Sequence, residues 1–407
     1  MSKWKNFKNL AASGGPCGWL LLAQPVLYLF TARTRDLSMY ATVDASAAVN
    51  IAFVFVCFIA VLIEANKSHQ KMVGYLLTRT PMFWFLLYTI YGFTSMFWSV
   101  NPKLTGYRAF ECLTMMMLMI TVWQHVFAFR DMRRVIDWCL LWVGVNVICQ
   151  IISYLKWTTN PLEVLGASQM IATTFFFMAL YYPKKRLLHF LIVVMSFLSG
   201  STIAYIGMAL GAVSVFWGRS KYKFPVFIFA LLVGLFIANY GFKNFVKDTV
   251  FYDKESISIE ETSGRDHIME TALTSIKLNP MGYGFFAGEP YILYQYYHGA
   301  INGHNSFFSA AMGLGYVGVV ILFIFFLGMI RVTFYRKIPQ EQHQMLIGCF
   351  FVGFLHCMGN PGIGSRIYGS WMPVMMLFTL ICSFYAYNKY KYKIYHYENN
   401  MGYKELP

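Results

Sequence analysis

Apolar runs long enough to cross a membrane recur along almost the whole chain, and they limit its fold more than any other feature. Hydrophobic residues make up 57% of the 407 residues. Charged residues make up 13%, whereas ordinary soluble domains carry about 25%. A helix needs about 20 mostly apolar residues to cross a bilayer. The sequence therefore predicts an all-α, polytopic membrane protein.

Twelve membrane-spanning helices are predicted, with one long loop after the ninth. The predicted spans are residues 16–33, 45–63, 81–98, 108–128, 135–155, 163–182, 187–199, 201–217, 224–240, 305–330, 344–360 and 367–387. The seventh and eighth spans meet at 199–201, and one long bent helix is the alternative there. The predicted organisation is nine helices in 1–240, an outer loop in 241–303, three helices in 304–387 and a tail in 388–407.

Basic residues alternate between successive loops and orient the chain. With the N-terminus in the cytoplasm, the inner segments carry six groups of three and one group of four Lys or Arg, which is 22 of the 33 in the chain. Cytoplasmic loops of membrane proteins are enriched in these residues. The alternation holds only if the chain turns at 199–201. It predicts cytoplasmic termini, and it accounts for the net charge of +15 without nucleic-acid binding.

The outer loop, residues 241–303, concentrates the polar chemistry of the chain. It holds eight of the 18 acidic residues. Ser263 and Asp266 have the spacing of a capping box, and Asn279-Pro280 ends the helix that they predict. The expected apolar face of this helix comprises Ile268, Ala272, Leu273 and Ile276.

Arg265 lies in the first turn of this predicted helix, where a cation is mildly disfavoured by the helix dipole unless an anion also binds. Helix N–H groups and a guanidinium can donate to the same phosphate oxygens, so the position suits a phosphate site. The alternative is an ion pair with a carboxylate such as Glu261.

His304 follows the loop at the boundary of the tenth span. An imidazole titrates near neutral pH and suits a general base, although a structural hydrogen-bonding role is the usual one at such a boundary. Asn305 either orients a sugar or caps the span. Arg108 and Arg366, in short outer loops, are candidates to line the same pocket. Arg108 is also one helical turn from Glu111, a membrane carboxylate that needs a partner.

Two glycine-rich stretches flank these residues. Residues 279–286, Asn-Pro-Met-Gly-Tyr-Gly-Phe-Phe, predict a turn that returns the loop to the membrane. Residues 313–318, Gly-Leu-Gly-Tyr-Val-Gly, favour close helix packing. The eight cysteines lie in or beside apolar runs without metal-site spacing, so we expect buried apolar residues, no metal site and no cofactor.

Three stretches resemble the bacterial O-antigen ligase and polysaccharide polymerase family. They are Phe97-Trp98-Ser99-Val100-Asn101-Pro102, Ser263-Gly264-Arg265 through Asn279-Pro280-Met281-Gly282-Tyr283-Gly284, and Gly303-His304-Asn305-Ser306-Phe307 through Gly318. Their order, the span count and the late outer loop match the family along nearly the whole chain.

The resemblance implies a metal-independent, inverting glycosyltransferase at the outer face of the bacterial inner membrane. Its donor would be a glycan on undecaprenyl pyrophosphate. Arg265 would bind the donor pyrophosphate, and His304 would deprotonate or position the acceptor hydroxyl. Family members often carry another cation before the eighth span, where this chain has Thr202. Arg108 or Arg366 is a candidate substitute.

Two activities within the family remain open. A polymerase joins repeat units of an O-antigen or exopolysaccharide, whereas a ligase transfers the finished glycan to lipid A-core. The sequence around 99–102 and 263–265 resembles exopolysaccharide polymerases more than it resembles ligases. Either enzyme would meet an acceptor glycan or lipid A-core, and a chain-length regulator or a flippase is a further expected partner.

A transporter or flippase of lipid-linked sugars is the alternative from another class. Transporters place polar residues deep in paired, broken helices. Here the main mid-span polar residues are Asn146, Gln150 and His356. The polar chemistry instead gathers in one outer loop, which favours an enzyme.

Overall fold

The computed structural model describes residues 2–31, 44–66, 71–154, 165–182, 184–198, 206–213, 265–296, 305–359, 363 and 371–399. Every regular element in these ranges is helical. They are α1 (Ser2–Ala12), α2 (Gly15–Thr31), α3 (Ala45–Asn66), α4 (Lys71–Arg79), α5 (Met82–Thr94), a 3₁₀ turn (Ser95–Phe97), α6 (Pro102–Ala128), α7 (Met132–Tyr154), α8 (Leu165–Tyr181), α9 (Arg186–Leu198), α10 (Arg265–Leu278), α11 (Gly288–Tyr296), α12 (Ser306–Thr333), α13 (Gln340–Gly359) and α14 (Met372–Asn399). Residues 206–213 are also helical.

Four of these helices are long and apolar enough to cross a membrane. They contain the candidate spans Ala45–Ala65, Pro102–Ala128, Met132–Ile152 and Ser306–Thr333. At about 1.5 Å per residue, the 27 residues of α6 extend about 40 Å, which exceeds the hydrocarbon core of a bilayer. These spans indicate a membrane protein, and its described part is all-helical. The count of twelve spans stays a prediction, and the predicted span 224–240 and the turn at 199–201 lie outside the described residues.

Most helix ends lie within five residues of the expected spans, and two differ by six residues or more. Helix α6 begins at Pro102, six residues before the predicted start, because the Asn101 side chain caps it by accepting from Leu104 N at 3.2 Å. Pro102 suits the first helical turn, where its missing N–H has no intrahelical partner. Helix α14 continues past residue 387 to Asn399, so the first part of the expected tail is helical.

Helix α6 lies at the centre of the bundle, packed against α2, α3, α5 and α14. Near its C-terminal end, the Trp123 indole donates to Thr379 Oγ1 of α14 at 2.9 Å. The same ring meets Trp138 of α7 edge-on, with 5.6 Å between ring centroids. All eight cysteines are buried free thiols, which confirms their expected role as apolar packing residues.

Candidate functional site

The turn between α10 and α11, residues 279–287, is held between two distant parts of the chain. On one side it meets the loop before α6, and on the other it meets the first half of α12. Four backbone hydrogen bonds fix it: Val100 N to Tyr283 O (3.0 Å), Tyr283 N to Met312 O (3.0 Å), Gly284 N to Gly313 O (2.8 Å) and Tyr316 N to Pro280 O (3.0 Å). The three stretches that carry the family resemblance therefore converge in the structure.

Helix α12 is kinked at Gly315, whose φ of 62° lies in the left-handed region. A Cβ at this position would collide with the carbonyl oxygen of Pro280. Glycine is required both for the backbone conformation and for the close approach. The glycine-rich stretch 313–318 thus permits close packing as expected, and its partner at the kink is the turn 279–287.

Hydroxyl groups secure the other side of the turn. Ser95 Oγ accepts from Phe285 N at 2.9 Å, and Thr105 Oγ1 donates to Phe285 O at 3.0 Å. Thr105 also shares a hydrogen bond of 2.7 Å with Ser99. Ser95 and Thr105 are fully buried, so these bonds fix both backbone polar groups of Phe285 away from water.

Arg108 pairs with Glu111 as its spacing predicts. Its Nη1 donates to Glu111 Oε2 at 2.6 Å, and the Glu111 side chain is completely buried. Tyr107 adds a longer contact of 3.4 Å to the same carboxylate. The guanidinium also lies over the Phe286 ring, 4.7 Å from its centroid. Because Phe286 belongs to the turn 279–287, this contact links the ion pair on α6 to that turn. The backbone of Phe286 has a φ of 61°.

Asn305 caps α12, which confirms one of the two roles expected for it. Its Oδ1 accepts from Phe307 N at 2.7 Å, and its Nδ2 donates to Met358 O of α13 at 2.8 Å. The next residue, Ser306, accepts from Ile363 N at 3.0 Å. The first turn of α12 is therefore fixed to the end of α13 and to the loop that follows it.

Sequence reasoning missed a buried carboxylate beside this turn. Glu289, in the first turn of α11, accepts from Ser309 Oγ at 2.6 Å, and both residues are buried. One signal was available in the sequence, since Gly288-Glu289-Pro290 has the acid that is typical of a helix N-terminus. The pairing with Ser309 had no signal, because the two residues meet only through tertiary structure.

Helix α10 packs by its apolar face against α11 and α12. Its Ile268 and Ala272 form a buried cluster with Met312, and Phe308 packs against that cluster. The prediction that Leu273 belongs to this face is wrong, because Leu273 is 50% exposed. A helix turns 100° per residue, and the buried residue on that side is Ser275 instead. The chain leaves α10 at Pro280, beside Tyr316, so the first turn of α10 points towards the start of α12.

The structure places part of the predicted site. Arg265 is the first residue of α10, Arg108 lies in the second turn of α6, and Asn305 caps α12. His304, Arg366 and Thr202 lie outside the described residues. Within the described ranges, no cluster of three or more His, Cys, Asp or Glu could hold a metal ion.

Comparison with known proteins supports the family that the motifs resemble. Residues 187–323 match the family model Wzy_C, described as O-antigen ligase. This stretch holds α9, α10, α11, the turn 279–287 and the kink of α12. A comparison with curated proteins gives no match. The match covers about a third of the chain. Together with the apolar helices, it supports a membrane enzyme of the O-antigen ligase and polysaccharide polymerase type.

Proposed function

We propose that the protein is a polymerase that joins repeat units of an O-antigen or exopolysaccharide carried on undecaprenyl pyrophosphate. The reaction takes place at the outer face of the bacterial inner membrane. One observation carries the proposal: the turn 279–287, which follows α10, is hydrogen-bonded to the first half of α12. Helix α10 begins with Arg265, and α12 begins directly after Asn305. A rigid connection between the two elements is what a shared reaction centre needs.

In this proposal Arg265 binds the donor pyrophosphate. The diphosphate gains charge as the bond to the anomeric carbon breaks, and a guanidinium beside the N–H groups of a helix start stabilises that charge. Arginine suits the position because its planar fork donates two parallel hydrogen bonds to phosphate. The guanidinium supplies this stabilisation without a metal ion.

His304 is proposed as the general base. The acceptor hydroxyl oxygen attacks the anomeric carbon from the face opposite the diphosphate, so the configuration inverts. The bond to the diphosphate breaks, its electron pair leaves with the diphosphate, and the hydroxyl proton passes to the imidazole. A positioned base contributes about 10²–10⁴-fold to the rate of such a step.

Four further residues are proposed to bind substrate. Glu111 holds the Arg108 guanidinium in one orientation, and we infer that Arg108 contacts the donor phosphate from there. Arg366 follows Ile363, whose N–H is fixed to the first turn of α12, and it is the candidate for the second phosphate contact. Asn305 and Thr202 are proposed contacts for the glycan.

A ligase that transfers the finished glycan to lipid A-core is the second candidate, since the matching family model is described as O-antigen ligase. The glycan of a deletion strain distinguishes the two. A polymerase defect leaves a single repeat unit on lipid A and no long chains. A ligase defect leaves long chains on the carrier lipid that never reach lipid A. We expect the first pattern, and the second would assign the chain as a ligase.

A further inference from the structure

Several buried polar side chains in the described part of the chain lack the hydrogen bonds that buried polar groups normally make, and three of them, one each on α7, α8 and α13, lie at one level of the bundle. They are Gln150 of α7, Gln169 of α8 and His356 of α13, each at most 2% exposed. Gln150 Oε1, Gln169 Oε1 and Nε2, and His356 Nε2 have no partner among the described residues. Leaving such a group unpaired costs about 1–3 kcal/mol, so four atoms in one region call for a physical explanation.

Helices α8 and α13 run antiparallel. The Phe176 ring lies against Gly348, and Tyr181, at the end of α8, is near Glu341, at the start of α13. Moving two turns from Phe176 along α8 reaches Gln169, on the same helical face. Along α13, Gly348, Val352 and His356 are spaced four residues apart and form one row on the helix surface. His356 is slightly more than two turns from Gly348. Gln169 and His356 therefore lie at the same level, on packed helices.

Gln150 belongs to the same level. Helices α7 and α8 pack against each other, and the Tyr182 hydroxyl donates to Asp137 where they meet. Val143 of α7 and Thr173 of α8 line one cavity, so the two helices run antiparallel. Gln150 lies two turns beyond Val143 and Gln169 one turn before Thr173, which brings both to the same level on facing sides of the pair. We call Gln150, Gln169 and His356 the polar layer.

The polar layer lies beside the candidate site. His356 precedes by two residues Met358, whose carbonyl accepts from the Asn305 side chain at the start of α12. The helical segment 206–213 approaches the same part of α13, with Gly207 against Val352. The layer is therefore an inner extension of the region where we place the reaction.

The chemistry of the layer selects its ligand. Two amides and an imidazole provide neutral donors and acceptors, and a phosphate would require cations instead. A sugar hydroxyl both donates and accepts, so it complements an amide or imidazole. We propose that the polar layer binds a sugar ring of the lipid-linked glycan, an inference that rests on the proposed function. The unpaired atoms are then the groups that the glycan satisfies.

This proposal separates ligand binding from folding. Replacing an unpaired buried polar group with an apolar one of similar size should leave stability unchanged or raise it, since no internal hydrogen bond is lost. The variants are Gln169→Leu and His356→Phe, with His356→Gln as the conservative change. The control is Thr379→Val, because Thr379 is equally buried but accepts from the Trp123 indole.

The test uses the full-length protein in lipid nanodiscs, and the probe is the lipid-linked glycan extracted from membranes of the deletion strain. The melting temperature is measured with and without the glycan, and product formation is measured separately. We expect Gln169→Leu and His356→Phe to melt at or above the wild-type temperature without glycan, and to bind the glycan about tenfold more weakly. We expect His356→Gln to keep most of the affinity. Thr379→Val should melt lower with unchanged affinity.

The outcomes separate the two proposals. Wild-type affinity in both apolar variants, a lowered melting temperature in them without glycan, or no glycan-induced shift in the wild type would each overturn the sugar-binding layer. A wild type that is stabilised by the glycan but forms no product would overturn the glycosyltransferase, while the layer would stand on the binding data.

Discussion

Tyr316 N donates to Pro280 O at 3.0 Å, across a kink that only a glycine at position 315 permits. This bond fixes the end of α10 to the interior of α12. It gives the turn 279–287 a fixed position against the bundle, and the proposed reaction depends on that position.

Gly315→Ala should undock the turn. The methyl group would meet the Pro280 carbonyl, and the positive φ is unfavourable for alanine, so we expect a loss of at least about 2 kcal/mol and little product. Gly144→Ala is the matched control, since a Cβ there meets nothing within 4 Å and alanine stabilises a helix interior by about 0.5–1 kcal/mol. Thermal melting in detergent measures both. Equal melting temperatures for the two variants would contradict the docking role of Gly315.

Arg108→Met should destabilise the protein by about 3 kcal/mol, because it leaves the Glu111 charge buried without its cation. The double variant Arg108→Met with Glu111→Leu removes both charges and should recover most of that stability. If Arg108 binds the donor phosphate, the recovered double variant still forms less product than the wild type. Full activity in it would limit Arg108 to a structural role.

Ser309→Ala should cost about 1–2 kcal/mol, because it removes a hydrogen bond from the buried Glu289 carboxylate. Ser275→Ala provides the comparison. Ser275 is equally buried, but its hydroxyl donates only to Ala272 O within its own helix, so we expect almost no change in melting temperature. A Ser309→Ala protein as stable as Ser275→Ala would show that the Glu289 contact contributes nothing.

How much of this site the sequence predicts depends on the separation of the residues along the chain. The Arg108–Glu111 pair is predictable, because helix geometry alone brings residues three apart together. The end of α10 at Asn279-Pro280 is predictable from the restraints of proline. The bond between Pro280 and Tyr316, and the contact of Glu289 with Ser309, depend on a kink that no local pattern encodes. Leu273 shows the remaining error, since an apolar residue at the edge of a helical face stays exposed when no neighbouring helix covers it.

Arg265→Ala should reduce product formation by at least tenfold at low donor concentration, and Arg265→Lys should restore little. An ammonium carries the same charge, but it cannot donate the two parallel hydrogen bonds of a guanidinium. The measurement is the dependence of initial rate on donor concentration in nanodiscs. Wild-type kinetics in Arg265→Ala would remove the phosphate role, and full rescue by lysine would show that charge alone is sufficient.

The most direct measurement concerns His304. A deletion strain is complemented with the wild-type gene or with His304→Ala, membrane levels of the protein are matched, and the surface glycan is separated by length. We predict that His304→Ala yields no long chains while the protein accumulates normally in the membrane. Long chains at the wild-type level in that strain would show that residue 304 has no catalytic role, and would contradict a reaction centre at the start of α12.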